Sequence, residues 1–279
     1  MGNMGHHIDR GTLRLNQVAP ERMGPGNTQI LRPFPQFNQV NMFTATIGNS
    51  SYHALMVKAE KRFGNGLGFV SSYTWSKFLD DFAVQNFYNR GADKGPSSLQ
   101  REHLARFSGV YSVPWGVGRK SFNSGPLAHI LGGWNLGGIF TAESGQPLTM
   151  TATPNQCNCF NDANLRPNLI GNPQGPKQIN NWFNVAAFEH PGNFKFGNAG
   201  AGLVEGPGLW NIDFSIGKDA RITESKVLNF RVDMFNALNH TNFLNPIVNI
   251  FPASSPGTTN IITSSRDARR IQLGIKFNF

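Results

Sequence analysis

Three features of the sequence predict an all-β, antiparallel fold. Seven segments alternate apolar and polar residues with a period of two, the pattern of strands with one apolar and one polar face. Charged residues make up only 15% of the chain while Gly and Phe number 31 and 23, against about 25% charge in an average soluble domain. Tight turns also alternate along the chain with long connections rich in Pro, Asn and Gly.

The first strand is predicted at Tyr52–Arg62, where His53, Leu55, Val57 and Ala59 oppose Ala54, Met56, Lys58 and Glu60. The second, Leu67–Lys77, sets Leu67, Phe69, Tyr73 and Trp75 against Gly68, Ser72, Thr74 and Ser76. Between them Phe63-Gly-Asn-Gly66 centres on Asn-Gly, the strongest short hairpin signal. Arg106–Pro114 alternates Phe107, Tyr111 and Val113 with Arg106, Ser108 and Ser112. Trp134–Ala152 opposes Trp134, Leu136, Phe140 and Ala142 to Asn135, Thr141 and Glu143. In Asn211–Lys218, Ile212, Phe214 and Ile216 face away from Asn211, Asp213, Ser215 and Gly217. Lys226–Asn236 sets Leu228, Phe230, Val232 and Met234 against Asn229, Arg231 and Asp233. The last strand, Arg270–Phe279, puts Ile271, Leu273, Ile275, Phe277 and Phe279 on one face and Arg270, Gln272, Gly274, Lys276 and Asn278 on the other.

The connections 78–105, 153–210 and 237–267 are long, and the turns at 63–66 and 219–225 are tight. Structureless loops beyond ~15 residues are unusual in compact soluble domains. Long loops on one rim and short turns on the other are normal for transmembrane barrels. The 115–133 connection departs from that rhythm and is expected as a longer turn on the short-turn rim.

The formal charge is +9, yet Lys and Arg are scattered with no basic run beside a stacking platform, so no nucleic-acid partner is expected. A basic lumen or a face towards anionic headgroups accounts for the excess. Cys157 and Cys159 lack a second pair of ligands for zinc; loop thiols and a local disulfide both stand open. No stretch reaches the ~18 apolar residues of a membrane helix, and Met1–Arg10 does not read as a signal peptide.

Several stretches also match a known family in order along the chain. They are Arg32-Pro-Phe-Pro-Gln-Phe37, Ser51-Tyr-His-Ala-Leu-Met-Val-Lys-Ala-Glu-Lys-Arg-Phe63 with Tyr73-Thr-Trp-Ser-Lys77, and Gly132-Gly-Trp-Asn-Leu-Gly-Gly-Ile139 leading into Ser144-Gly-Gln-Pro147. Trp182-Phe-Asn-Val-Ala-Ala-Phe188, Phe196-Gly-Asn-Ala-Gly200, Gly206-Pro-Gly208 and Phe230-Arg-Val-Asp-Met-Phe-Asn-Ala-Leu-Asn-His240 follow. Together they resemble the barrel of TonB-dependent outer-membrane receptors of the Oar-like kind, whose N-terminal carboxypeptidase-regulatory-like domain precedes a plug. The resemblance implies about seven strands of a larger barrel of the 22-stranded type. It also implies a location in a Gram-negative type outer membrane and ligand uptake or binding at the cell surface in the full-length protein. The terminal strand ending on Phe279 resembles the assembly signal of such barrels, with Leu273, Ile275, Phe277 and Phe279 as its residues.

The expected organisation is one barrel segment over 1–279, with 1–50 a loop entering it and 51–279 strands and loops, and without a plug or signal peptide; within 1–50, Gly2–Ile8 looks like the end of a preceding strand and its exit loop. The expected partners are outer-membrane lipid and lipopolysaccharide, the barrel-assembly machinery, and the TonB complex only through the missing plug. Tyr52, Trp75, Tyr111 and Trp134, with Trp115 and Trp210, are the candidate aromatics for the lipid headgroup level. A soluble β-sandwich with Trp182 and Phe183 stacking on a glycan is the competing expectation. A self-closed barrel of eight strands, recruiting Asn38–Ile47, is the other.

No catalytic, metal or cofactor site is expected. Gly64–Gly68 lacks the helix and Lys-Ser/Thr of a phosphate loop, and Ser144-Gly-Gln is not a nucleophile elbow. His6, His7, His53, His103 and His240 form no pair at ligand spacing. Asp80-Asp81 has no partner cluster, and Asp233 beside Arg231 reads as a lumen salt bridge.

Overall fold

The structure, a computed structural model, describes residues 1–9, 11–116, 121–159, 165–223, 225–251 and 257–279. Parts of the connections 115–133, 153–210, 219–225 and 237–267, and Arg10, therefore lie outside the described residues.

One antiparallel sheet organises the chain, its strands adjacent in sequence order: β1 (Gly2–Ile8), β2 (Gly48–Gly64), β3 (Leu67–Asp80), β4 (His103–Ser112), β5 (Trp134–Glu143), β6 (Leu209–Arg221), β7 (Val227–Phe235) and β8 (Arg270–Asn278). Gly95–Pro96 adds a two-residue pairing to the end of β3. Seven of these strands stand where the alternation predicts them, six shifted by no more than a few residues at their ends and β5 ending well short. β1 is an addition. Gly2–Ile8, expected within the entering segment as the end of a preceding strand and its exit loop, pairs with β2 from Gly2↔His53 to Ile8↔Gly48 through an irregularity after Gly5. Asn38–Ile47 does not supply the eighth strand, since only Asn41–Met42 pairs there, with Leu13–Arg14.

The Asn65-Gly66 turn forms as the sequence predicts. Both residues sit at positive φ (52° and 84°), the geometry of the primed turn that matches strand twist. The predicted strand Trp134–Ala152 is shorter: it stops at Glu143, where Ser144-Gly-Gln-Pro leaves the ladder. Pro147–Leu148 then pairs with Val204–Glu205, and Thr151–Ala152 runs parallel to Asn249–Ile250.

Among the described residues the sheet is open, β1 and β8 each pairing on one side only. In an up-and-down meander alternate connections fall on opposite rims. Segments 9–47, 81–102, 144–208 and 236–269 thus share one rim, and 65–66, 113–133 and 222–226 the other.

The hydrophobic core lies outside the sheet. Every buried apolar side chain among the described residues belongs to a connection and none to β1–β8. On the long-loop rim, Leu148, Met150, Trp182, Phe183, Phe188 and Val204 close around Ile250 and Ile262 from the following loop. A second cluster joins Val18 to Cys157, Cys159 and Leu165. The long loops therefore form a folded cap.

Candidate functional site

The sheet register decides which side chains share a face, because directly opposed residues point the same way. Starting from Leu55↔Trp75 and Val57↔Tyr73, the row continues through Ser71↔Phe107, Tyr111↔Leu136, Phe107↔Phe140, Ile212↔Phe140 and Ile216↔Leu136. It ends at Ile216↔Val232, then Phe230↔Ile275, Val232↔Leu273 and Met234↔Ile271. One apolar surface thus crosses seven strands, from β2 to β8. The opposite row carries Lys58, Ser72, Arg106, Ser108, Thr141, Asn211, Ser215, Asp233, Gln272 and Lys276, with Met56, Val70, Val110 and Ile139 among them.

Away from its two rims, no second layer of the described chain covers the apolar surface. Leu273 and Ile275 are 75% and 72% exposed, and Leu55, Val57, Trp75 and Phe230 are exposed as well. A β-sandwich would bury this face against a second sheet about 10 Å away. Left in water, so large a patch drives association. Strands of 9 to 17 residues in β2–β8 reach or exceed the ~9–11 needed to cross a hydrocarbon layer.

The sequence-predicted residues distribute as follows. Trp75 and Trp210 lie in the apolar row near the cap, and Tyr111 and Trp134 lie in it at the other rim. Tyr52 faces the polar side, opposite Phe78 and edge-on to its ring at 5.9 Å. Trp115 sits in the 113–133 connection against Phe122. Leu273, Ile275 and Phe277 continue the apolar row on edge strand β8, and Phe279 stacks on Phe277 at 5.8 Å. Trp182 and Phe183 are corrected from ligand-stacking aromatics to core: both are buried in the cap. Their rings carry the apolar mass that an irregular loop needs to fold.

Carboxylates predicted to be structural are engaged with basic or amide groups. Arg231 Nε donates to Asp233 at 2.8 Å on the polar face. Asp81 accepts from the Asn49 backbone, from the Asn49 amide and from Arg90, each within 2.9 Å, clasping the start of β2 to the β3–β4 loop. His103 bonds the Tyr73 hydroxyl at 2.8 Å, and His240 stacks on Trp210 at 3.9 Å. Cys157 and Cys159 form a disulfide, buried beside Val18.

The cap is held by polar contacts that the sequence did not disclose. Gln17 in the first loop donates to the Gln85 carbonyl in the second, and its side-chain oxygen accepts from Phe87 N–H. Gln85 reaches the third, accepting from Arg166 N–H at 2.6 Å and donating to the Gly197 carbonyl at 3.0 Å. Arg166 also donates to Asp93. Burial pushes the Arg166 guanidinium below its ordinary pKa, and Asp93 opposes that shift by attraction and hydrogen bonding.

Asn260 joins the fourth loop to the third. Its amide accepts from Phe183 N–H and donates to Phe183 O and Asn181, all within 2.7 Å. Asn16 does the same within the first loop, bonding Phe34 and Phe37. Buried backbone without a ladder needs such partners. The Asn-rich composition was the one signal of it.

A family model for an outer membrane beta barrel domain matches residues 1–272. No curated protein matches the chain.

Proposed function

The chain belongs to the outer membrane β-barrel domain family, and from that premise we propose that it forms part of the barrel of a TonB-dependent surface receptor. In this reading the apolar row faces lipid and the polar row faces the lumen. The cap stands on the cell exterior, where it presents a ligand-facing surface. Its role is binding and passage rather than catalysis. The uncovered apolar surface running from β2 to β8 carries the membrane part of this reading, since only a hydrocarbon environment or aggregation satisfies it.

The receptor part is supported by the motif series from Arg32-Pro-Phe-Pro-Gln-Phe37 to Phe230–His240. It is also supported by a cap large enough to hold its own core. The larger barrel implied by that resemblance would occupy the free edges of β1 and β8. Barrel-assembly machinery would then act on the strand bearing Leu273, Ile275, Phe277 and Phe279.

Sidedness is tested by labelling intact cells with a membrane-impermeant maleimide. Leu99→Cys in the cap should react, and Ile222→Cys at the short-turn rim should react only after the outer membrane is opened. The reverse order would overturn the orientation. Cross-linking in cells that carry the native protein, followed by recovery with an antibody to the Lys276–Phe279 end, tests the receptor reading. Co-recovery of the TonB protein supports it, and repeated absence contradicts it.

A further inference from the structure

The connection between β4 and β5 is the long one at the short-turn rim, and it carries a feature that a turn does not need. Pro126–Leu131 is helical. A helix this short has no stability of its own in water, so its neighbours must hold it. Gly116 and Gly132 meet back to back: a Cβ on Gly116 would lie 2.5 Å from the Gly132 Cα, leaving room for no other residue. The Lys218 ammonium donates to the carbonyls of His129, Ile130 and Gly132 at 3.0, 2.6 and 3.1 Å. It lies 4.7 Å over the Trp134 ring, whose Nε1 donates to the Ile130 carbonyl at 3.0 Å.

Lys218 and Trp134 are opposed on β6 and β5 and belong to the apolar row. A lysine in that row would be costly in hydrocarbon. Here its charge instead meets the open carbonyls at a helix C-terminus, a favourable place for a cation. The contacts bring the helix beside the short-turn end of the apolar row. Ala128 faces inward and is buried. Leu127 and Ile130, three residues apart and so on one side of the helix, are 56% and 61% exposed.

We propose that the Pro126–Leu131 helix is an interfacial anchor, clasped by Lys218 and Trp134, that lays Leu127 and Ile130 into the headgroup–acyl boundary of the leaflet at the short-turn rim. The proposal rests on the reading of the apolar row as the lipid-facing surface. The occupant is lipid because Lys218 and Trp134, both members of that row, hold the helix at its end and leave the apolar pair exposed there. The cation and indole beside it are the side chains suited to a boundary that is apolar on one side and wet on the other. The clasp also gives the connection a reason for its length, since a tight turn would leave Lys218 without these carbonyls.

The test places single nitroxide labels at Leu127 and Ile130 in the full chain, in outer membranes of cells that make it. Labels at Leu273 and at Leu99 serve as references. Collision with oxygen reports lipid, and collision with a soluble nickel chelate reports water. The expected result is a Leu273 label in lipid, a Leu99 label in water, and Leu127 and Ile130 labels at depths between them. In a Lys218→Met background the Leu127 and Ile130 labels should move towards water while Leu273 stays. Leu127 and Ile130 labels fully in water, with Leu273 in lipid, would overturn the anchor and leave the lipid-facing row standing. A Leu273 label in water would overturn both. No movement in the Lys218→Met background would overturn the clasp.

Discussion

The Asp93 carboxylate accepts a 2.6 Å hydrogen bond from Arg166 across 73 residues of sequence, and both side chains are buried. The pair ties the β3–β4 loop to the β5–β6 loop at a point where no sheet does so. Removing Arg166 takes away the cation that offsets the buried Asp93 carboxylate, which still accepts from the Gln85 N–H. Arg166→Met should therefore destabilise the cap by about 3–5 kcal/mol. The double variant Asp93→Leu/Arg166→Met should recover much of that loss, because no bare charge remains buried. Hydrogen exchange over 81–102 and 144–208 reads both effects; equal losses in the single and double variants would contradict this role.

Asn260 gives a second, independent hold on the cap. Its side chain satisfies both the N–H and the carbonyl of Phe183 while its own backbone sits at φ 71°. Asn260→Ala leaves those groups unpaired in the core and places a Cβ without amide compensation in the left-handed region. A loss of about 1–3 kcal/mol is expected. Faster proteolysis in 144–208 and 236–269, with the strand ladders unchanged, is the readout.

A pH effect follows from Tyr88. Its hydroxyl donates to the Gln17 carbonyl at 3.0 Å. Desolvation of that end, with Glu21 nearby, raises its pKa above the ordinary phenol value, although Arg22 opposes the shift. An unfolded tyrosine ionises near pH ~10. The folded state resists that ionisation, so the contribution of Tyr88 is complete below pH ~10 and falls away as pH climbs through the raised folded value. Limited proteolysis between pH 9 and 11 should show the cap loosening, and Tyr88→Phe should remove that component of the pH dependence.

The alternation on β8 predicts opposite outcomes for adjacent residues. Ile275 lies in the apolar row opposite Phe230, and Lys276 lies in the polar row opposite Asn229. Ile275→Lys should cost about 2–4 kcal/mol near the bilayer midplane, whereas Lys276→Gln should stay within about 0.5 kcal/mol. Urea unfolding from lipid vesicles measures both.

The sheet was legible in the sequence and the cap was not. Alternation places Leu55, Phe140, Ile216 and Leu273 because a strand's two faces are read directly from its odd and even residues. Alternation alone does not mark Gly2–Ile8, where two glycines and two histidines blur the period and only the resemblance suggests the end of a strand, and it overruns beyond Glu143, where Pro147 follows too soon for the ladder to continue. Tyr52 stands on the polar face opposite Phe78, a placement its sequence position does not disclose, because an aromatic near a strand end suggests a girdle whichever face it occupies. The cap escaped periodicity because its core comes from residues far apart, such as Val18 with Leu165 and Phe183 with Ile250. The motif series did contain its parts. Trp182, Phe183, Ala187 and Phe188 are core, Gly197 accepts from Gln85, and Asn236 closes the turn to His240. In this chain those motifs hold the cap together, and a ligand contact for them is not needed to explain why they fold as they do.

In the proposed arrangement the odd-numbered face of β8 meets lipid while the even-numbered face does not. A photo-reactive amino acid placed in turn at each position from 271 to 278, in membranes of cells that make the full chain, tests it most directly. Phospholipid adducts at Ile271, Leu273, Ile275 and Phe277, and none at Gln272, Gly274, Lys276 and Asn278, is the predicted result. Adducts without alternation, or adducts of the odd positions with protein in place of lipid, would contradict it.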